Sequence, residues 1–167
     1  VNQVGLYLRI TDCVFRENSV RTNSGGAIFV NDESGSPILR IRGSTFENNQ
    51  GALGAALIIF GTGRDSLGVY QVDIDSSTFR SNQASSEGGA IYWRNTIGKG
   101  VLNINHALFS ENMAGSAGSA IYLRQTGAGK FRTTIRNSRF MGEKLGDTPE
   151  VSGGTIHFRN DDNGLST

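Results

Sequence analysis

One repeat dominates this sequence. Phe15, Phe46, Phe79, Phe109 and Phe140 stand 31, 33, 30 and 31 residues apart, and their surroundings recur with them. An Ile lies five residues before each (Ile10, Ile41, Ile74, Ile104, Ile135), and two before that comes Leu8, Leu39, Val72, Leu102 or Thr133. Asn follows the Phe by three in four units (Asn18, Asn49, Asn82, Asn112), with Glu143 in the fifth. A period of about 31 residues points to a solenoid, because one unit cannot bury its own apolar face but a stack of units can.

The local pattern selects β-structure for that solenoid. Apolar residues alternate with polar ones into each Ile, as in a half-buried strand. Between Ile and Phe lie a turn-tolerant residue (Asp12, Gly43, Ser76, His106, Asn137) and then a small one (Cys13, Ser44, Ser77, Ala107, Ser138), so a bend with a small side chain tucked inward is expected there. A second strand opens at a glycine cluster: Gly25 to Ile28, Gly54 to Leu57, Gly88 to Ile91, Gly118 to Ile121, Gly153 to Ile156. The rows Ile28, Leu57, Ile91, Ile121, Ile156 and Val30, Ile59, Trp93, Leu123, Phe158 are apolar and are placed inward. Between them Phe29, Ile58, Tyr92, Tyr122 and His157 are expected to face out as an aromatic ladder. With 23 glycines cutting every candidate helix, no helical template competes.

The expectation is one all-β domain over residues 1–167, a right-handed parallel β-helix of about five coils, forming a segment of a longer repeat array. Coils stacked about 4.8 Å apart would superpose the asparagines into an amide ladder at a buried turn. Asn31 to Pro37, Gly61 to Gly68, Asn95 to Gly100 and Thr126 to Lys130 read as surface loops, and the connection from Met141 to Gly154 is the least regular.

The paired motifs F-x-x-N and G-G-A-[ILV] resemble those of the chlamydial polymorphic outer membrane proteins and related surface β-helix repeat proteins. Phe15 with Asn18, Phe79 with Asn82 and Phe109 with Asn112 carry the first motif, and Gly25 to Ile28 and Gly88 to Ile91 the second. The resemblance implies a right-handed β-helix on a cell surface, commonly an autotransporter passenger acting as an adhesin. The chain departs from that pattern in having a single cysteine and no recognisable barrel segment.

Chemistry is sparser. A formal net charge of +1 gives no general field to gather nucleic acid, and no apolar run has the length of a membrane span. Because β-helices also serve polysaccharide lyases and hydrolases, Asp73 and Asp75, outward on one strand with Asp65 in the loop before them, are the candidates for a carbohydrate-active alternative. Arg40 and Arg42 fall beside the two strand aspartates, which makes a cross-strand ion-pair patch the simpler reading. His106 and His157 stand apart from any metal-ligand spacing, Cys13 occupies a row of small residues, and Gly127 to Lys130 lacks the full phosphate-loop spacing, so no metal or cofactor is expected. The candidate binding surface is Tyr92, Arg94, Tyr122, Arg124, His157 and Arg159, which recur at equivalent positions and suit a protein or glycan partner. The function expected is a non-enzymatic, extracellular structural or adhesive module. Both ends should be covered by further repeats or by other subunits.

Overall fold

The computed structural model describes residues 6–20, 25–32, 36–61, 68–146 and 153–161. Parts of the loops expected at Asn31 to Pro37, Gly61 to Gly68 (with Asp65) and Met141 to Gly154 lie outside the described residues, as do the last six residues of the chain.

Nineteen strands and no helix occur among the described residues. The first coil holds β1 (Tyr7–Thr11), β2 (Val14–Arg16) and β3 (Ile28–Asp32), and the second β4 (Ile38–Arg42), β5 (Thr45–Glu47), β6 (Gln50–Leu53) and β7 (Leu57–Gly61). The third holds β8 (Val69–Asp75), β9 (Thr78–Arg80), β10 (Gln83–Glu87) and β11 (Ile91–Asn95), and the fourth β12 (Lys99–Asn105), β13 (Leu108–Ser110), β14 (Met113–Ala114) and β15 (Ile121–Gln125). Last come β16 (Lys130–Arg136), β17 (Arg139–Met141), β18 (Lys144–Leu145) and β19 (Ile156–Asn160). Equivalent strands pair in parallel, giving three five-stranded sheets and a four-stranded one. The molecule is therefore a parallel β-solenoid. Five rungs define about four complete turns, one fewer than a count of phenylalanines suggests, because the first rung lacks its strand in the short sheet.

Each coil turns on single residues held in the left-handed region. Asp12, Gly43, Ser76, His106 and Asn137 have φ between 49° and 58°, and Glu17, Asn48, Ser81, Glu111 and Gly142 form a second corner with φ between 52° and 65°. This conformation costs an L-residue roughly 1–2 kcal/mol. The cost is offset because each corner amide of the first four rungs still bonds the next rung: Asp12 N to Arg42 O at 3.0 Å, Glu17 N to Glu47 O at 3.1 Å, and Ser76 N to Asn105 O at 3.0 Å. The third corner is glycine's. Gly54, Gly88, Gly118 and Gly153 all have positive φ, and a Cβ on Gly88 would run into the Ile91 carbonyl oxygen.

Inside, the expected rows stack. The five phenylalanine rings lie 4.8 Å apart at each step, tilted by no more than 8°. Ile10, Ile41, Ile74 and Ile104 are buried in the same core. The asparagines form the expected ladder: Nδ2 of Asn18 donates to Oδ1 of Asn49 at 2.8 Å, Asn49 to Asn82 at 2.9 Å, and Asn82 to Asn112 at 2.9 Å. Each second Nδ2 hydrogen goes back to a Phe carbonyl, as from Asn82 to Phe46 at 3.0 Å, so the buried amides are satisfied on both sides. Asn112 hands the ladder to Glu143 Oε1 at 3.1 Å, where burial pushes the carboxyl up to about 7 and Oε2 has no partner. A serine ladder runs beside it. Ser44 N donates to Ser77 Oγ at 3.1 Å while each hydroxyl caps the carbonyl two residues back. Cys13 stands in this row, half-buried, with Sγ 3.1 Å from the Thr11 carbonyl.

Candidate functional site

The glycine-cluster strands place the candidate binding residues in rung register: Tyr92 pairs with Tyr122 and Tyr122 with His157, while Arg94 pairs with Arg124 and Arg124 with Arg159. The rings stack as expected, Tyr92 on Tyr122 at 5.4 Å and Tyr122 on His157 at 5.0 Å. The two tyrosines do not face solvent, whereas His157 is half-buried and Phe29, at the other end of the row, is exposed as expected. Tyr92 is 2% exposed and Tyr122 1%, forming with Ile58 and Ala117 a second apolar cluster flanked by Leu53 and Phe60. The row does point away from the main core, but the segment running from the short sheet into the glycine corner folds back over it. Alternation along a strand tells which side a residue takes and nothing about what packs on that side.

Burial raises the Tyr92 hydroxyl and pushes Tyr122 up to about 12, partly opposed by hydrogen bonds from Arg124 and Arg159 respectively. The tyrosines thus remain neutral and hold the arginine of the following rung. Asp161 ties two of those arginines together, 2.6 Å from Arg124 Nε and 2.5 Å from Arg159 Nε. These hydrogen bonds lower the aspartate, the Arg159 contact first, and raise both guanidinium groups. Arg94 differs. Its guanidinium lies over the Phe60 ring at 4.4 Å, with Nε buried and unpartnered. The arginine row is therefore ordered from beneath by aromatic rings.

Asp73 and Asp75 lie on the Ile sheet, each between a cation and an amide. Arg40 Nε is 3.5 Å from Asp73 and Arg42 Nε 3.6 Å from Asp75, while Asn103 and Asn105 donate to the same carboxylates at 2.9 and 3.2 Å. Gln71 adds a bond to Asp73 at 2.7 Å, and His106 stands 3.7 Å from Asp75. This is the cross-strand patch the register implies. Such exposed pairs contribute about 0–1 kcal/mol each. No group of three or more His, Cys, Asp or Glu side chains with metal-holding geometry occurs among the described residues. Gly127, in the stretch compared with a phosphate loop, turns between β15 and β16 with φ 76°.

Sequence reasoning missed a buried amide pair at the end of the glycine-cluster strands. Gln125 Nε2 donates to the Asn95 carbonyl at 3.0 Å, and Asn95 Nδ2 to Gly98 O at 3.3 Å. The available signal was their shared place four residues after Ile91 and Ile121.

Residues 12–31 and 76–92 match the Chlamydia polymorphic membrane protein repeat. Both matched stretches begin on a left-handed corner residue, Asp12 or Ser76, and run through the Phe, the ladder Asn and the glycine cluster. The stretch 76–92 therefore holds all three corners, at Ser76, Ser81 and Gly88, with one core ring and one ladder rung. No curated protein and no solved structure matches the chain. No helix among the described residues is long and apolar enough to cross a membrane.

Proposed function

We propose that the chain is a non-enzymatic structural and adhesive module of a cell surface, presenting stacked side-chain rows to a protein or glycan partner. The observation that carries this reading is the rung register: Arg94, Arg124 and Arg159 recur at one position on consecutive coils, in a chain whose repeat matches that of polymorphic membrane proteins. Groups repeated at fixed spacing suit an extended partner that engages several at once. Tyr92, Tyr122 and His157 then serve as the platform that orients the arginines. A right-handed winding accords with the strong chirality of parallel crossovers.

Stacking at the ends belongs to the same reading. Ile156 and Phe158 are 41% and 54% exposed, whereas their equivalents Ile91, Trp93 and Ile121 are fully buried. Further coils or a neighbouring subunit would cover them.

The test is an Arg94→Gln, Arg159→Gln double variant, which removes guanidinium groups without setting a new carboxylate beside Asp161. Attachment in a pull-down or cell-binding assay should weaken while the circular dichroism spectrum stays unchanged. Undiminished attachment would show that the row only covers the tyrosines.

A further inference from the structure

The outward cations of this solenoid are unevenly compensated. Arg40, Arg42, Arg80, Arg124 and Arg159 each face a carboxylate. On the last rung, Lys130, Arg132, Arg136, Arg139 and Lys144 are all exposed, and none forms an ion pair among the described residues. The rung beneath supplies no counter-charge to them. Lys130 pairs with Lys99, Arg132 with Val101, Arg136 with Asn105, Arg139 with Leu108 and Lys144 with Met113. Two carboxylates stand at the second corner, but Glu111 accepts from the Ser81 hydroxyl at 3.2 Å and Glu143 is drawn into the asparagine ladder.

The five cations follow one line. Lys130, Arg132 and Arg136 alternate outward along β16 with Thr134 between them, Arg139 follows the Asn137 corner, and Lys144 follows the Gly142 corner. A planar anionic surface could meet only one of these three faces. β16 also carries no outward aromatic ring, since Phe131 packs inward against Trp93 at 5.0 Å, so nucleic-acid bases find no stacking platform there. A protein interface normally has an apolar centre, which the outward face of β16 lacks. A flexible linear polyanion needs none of these things and can bend with the coil. We infer that the last rung is a belt for a linear anionic glycan, carrying sulfate or carboxylate groups, that lies along β16 and turns both corners to β18. The belt is a separate surface from the arginine row. Coils stacked on this rung would meet its edge and leave its outward side chains exposed, as Arg40 and Arg42 of β4 are exposed beside β8.

The experiment measures binding of heparin, as a sulfated linear probe, to the whole chain, with neutral dextran, a single-stranded oligodeoxynucleotide and phosphatidylserine vesicles as comparisons. Heparin should bind in a salt-sensitive way, and the other three more weakly. Arg132→Glu with Arg136→Glu, and separately Arg139→Glu with Lys144→Glu, should each weaken heparin binding roughly tenfold, as expected when two small exposed contacts become repulsions. Arg9→Glu with Arg16→Glu changes net charge equally at the opposite end and should leave binding within about twofold. Equal loss in that control would overturn the belt in favour of general charge attraction. Equal binding of oligonucleotide or vesicles would overturn the glycan assignment, and insensitivity to the Arg139, Lys144 pair would overturn the path around the corners.

Discussion

Replacing Asn82 by Ala should be among the most damaging single changes in this molecule, although the residue is polar and makes no chemistry. Its side chain takes part in four hydrogen bonds: Oδ1 accepts from Asn49 N at 3.2 Å and Asn49 Nδ2 at 2.9 Å, and Nδ2 donates to Phe46 O at 3.0 Å and Asn112 Oδ1 at 2.9 Å. Asn112 Oδ1 would keep the Asn82 backbone amide, but Asn49 would lose the acceptor of two donors in a site with no access to water. Two orphaned buried donors at about 1–3 kcal/mol each give a loss of roughly 2–6 kcal/mol. Asn18→Ala supplies the internal comparison. It removes only the outermost donor, from an exposed residue, and leaves Asn49 Oδ1 bonded by the Asn18 backbone amide, so about 0.5–1.5 kcal/mol is expected. Urea denaturation followed by the fluorescence of Trp93, the one tryptophan, measures both. Losses equal within about 0.5 kcal/mol would refute the claim that the ladder matters through buried donors rather than through local turn preference.

Three further outcomes follow from the same stack. Phe79→Ala removes a fully buried ring between two parallel neighbours and should cost about 3–5 kcal/mol by the same denaturation, well above the cost at the half-buried Phe140. Glu143 has a folded pKa of about 7 against an ordinary 4.5, so the native state holds a proton that the unfolded chain releases. Stability should therefore fall as pH rises through that window, and Glu143→Gln, which cannot ionise, should abolish the fall in a comparison of melting temperatures at pH 5 and pH 8. The uncovered Ile156 and Phe158 should make the isolated 167-residue chain associate with rising concentration in sedimentation; a monodisperse monomer at all concentrations would count against end-to-end covering.

Much of the fold was legible because the repeat imposes the same demand five times. A Phe that recurs with an Asn three residues later leaves few solutions other than a stacked ring beside a stacked amide, and the turn-tolerant residue two after each Ile became a left-handed corner in every coil. The short sheet was not legible. Its strands, such as Gln83–Glu87 with the sequence QASSE and Met113–Ala114, are short and carry no β-branched alternation, so only the neighbouring rungs make them strands. That gap hid the covering of Tyr92 and Tyr122, since the segment leading from this sheet into the glycine corner buries them. The ion pairs at Asp73 and Asp75 were legible from register alone. The contact between Arg124 and Asp161 was not, because it spans 37 residues and depends on where the chain leaves β19.

The central claim is that residues one repeat apart lie on adjacent rungs with the same side facing in. Cys13, the only cysteine, tests it directly. Its backbone amide lies 3.2 Å from the hydroxyl of the buried Ser44, 31 residues on, while Thr45, the next residue and the first of β5, alternates to the other side. Mild oxidation of the Ser44→Cys variant should close an intramolecular disulfide, since parallel neighbours fall within the roughly 4.4–6.8 Å Cα separation such a bond requires, and mass spectrometry of the digested protein should recover the linked peptides. The Thr45→Cys variant should give none. If Thr45→Cys links to Cys13 as readily as Ser44→Cys, or neither links, the rungs are not in the register described.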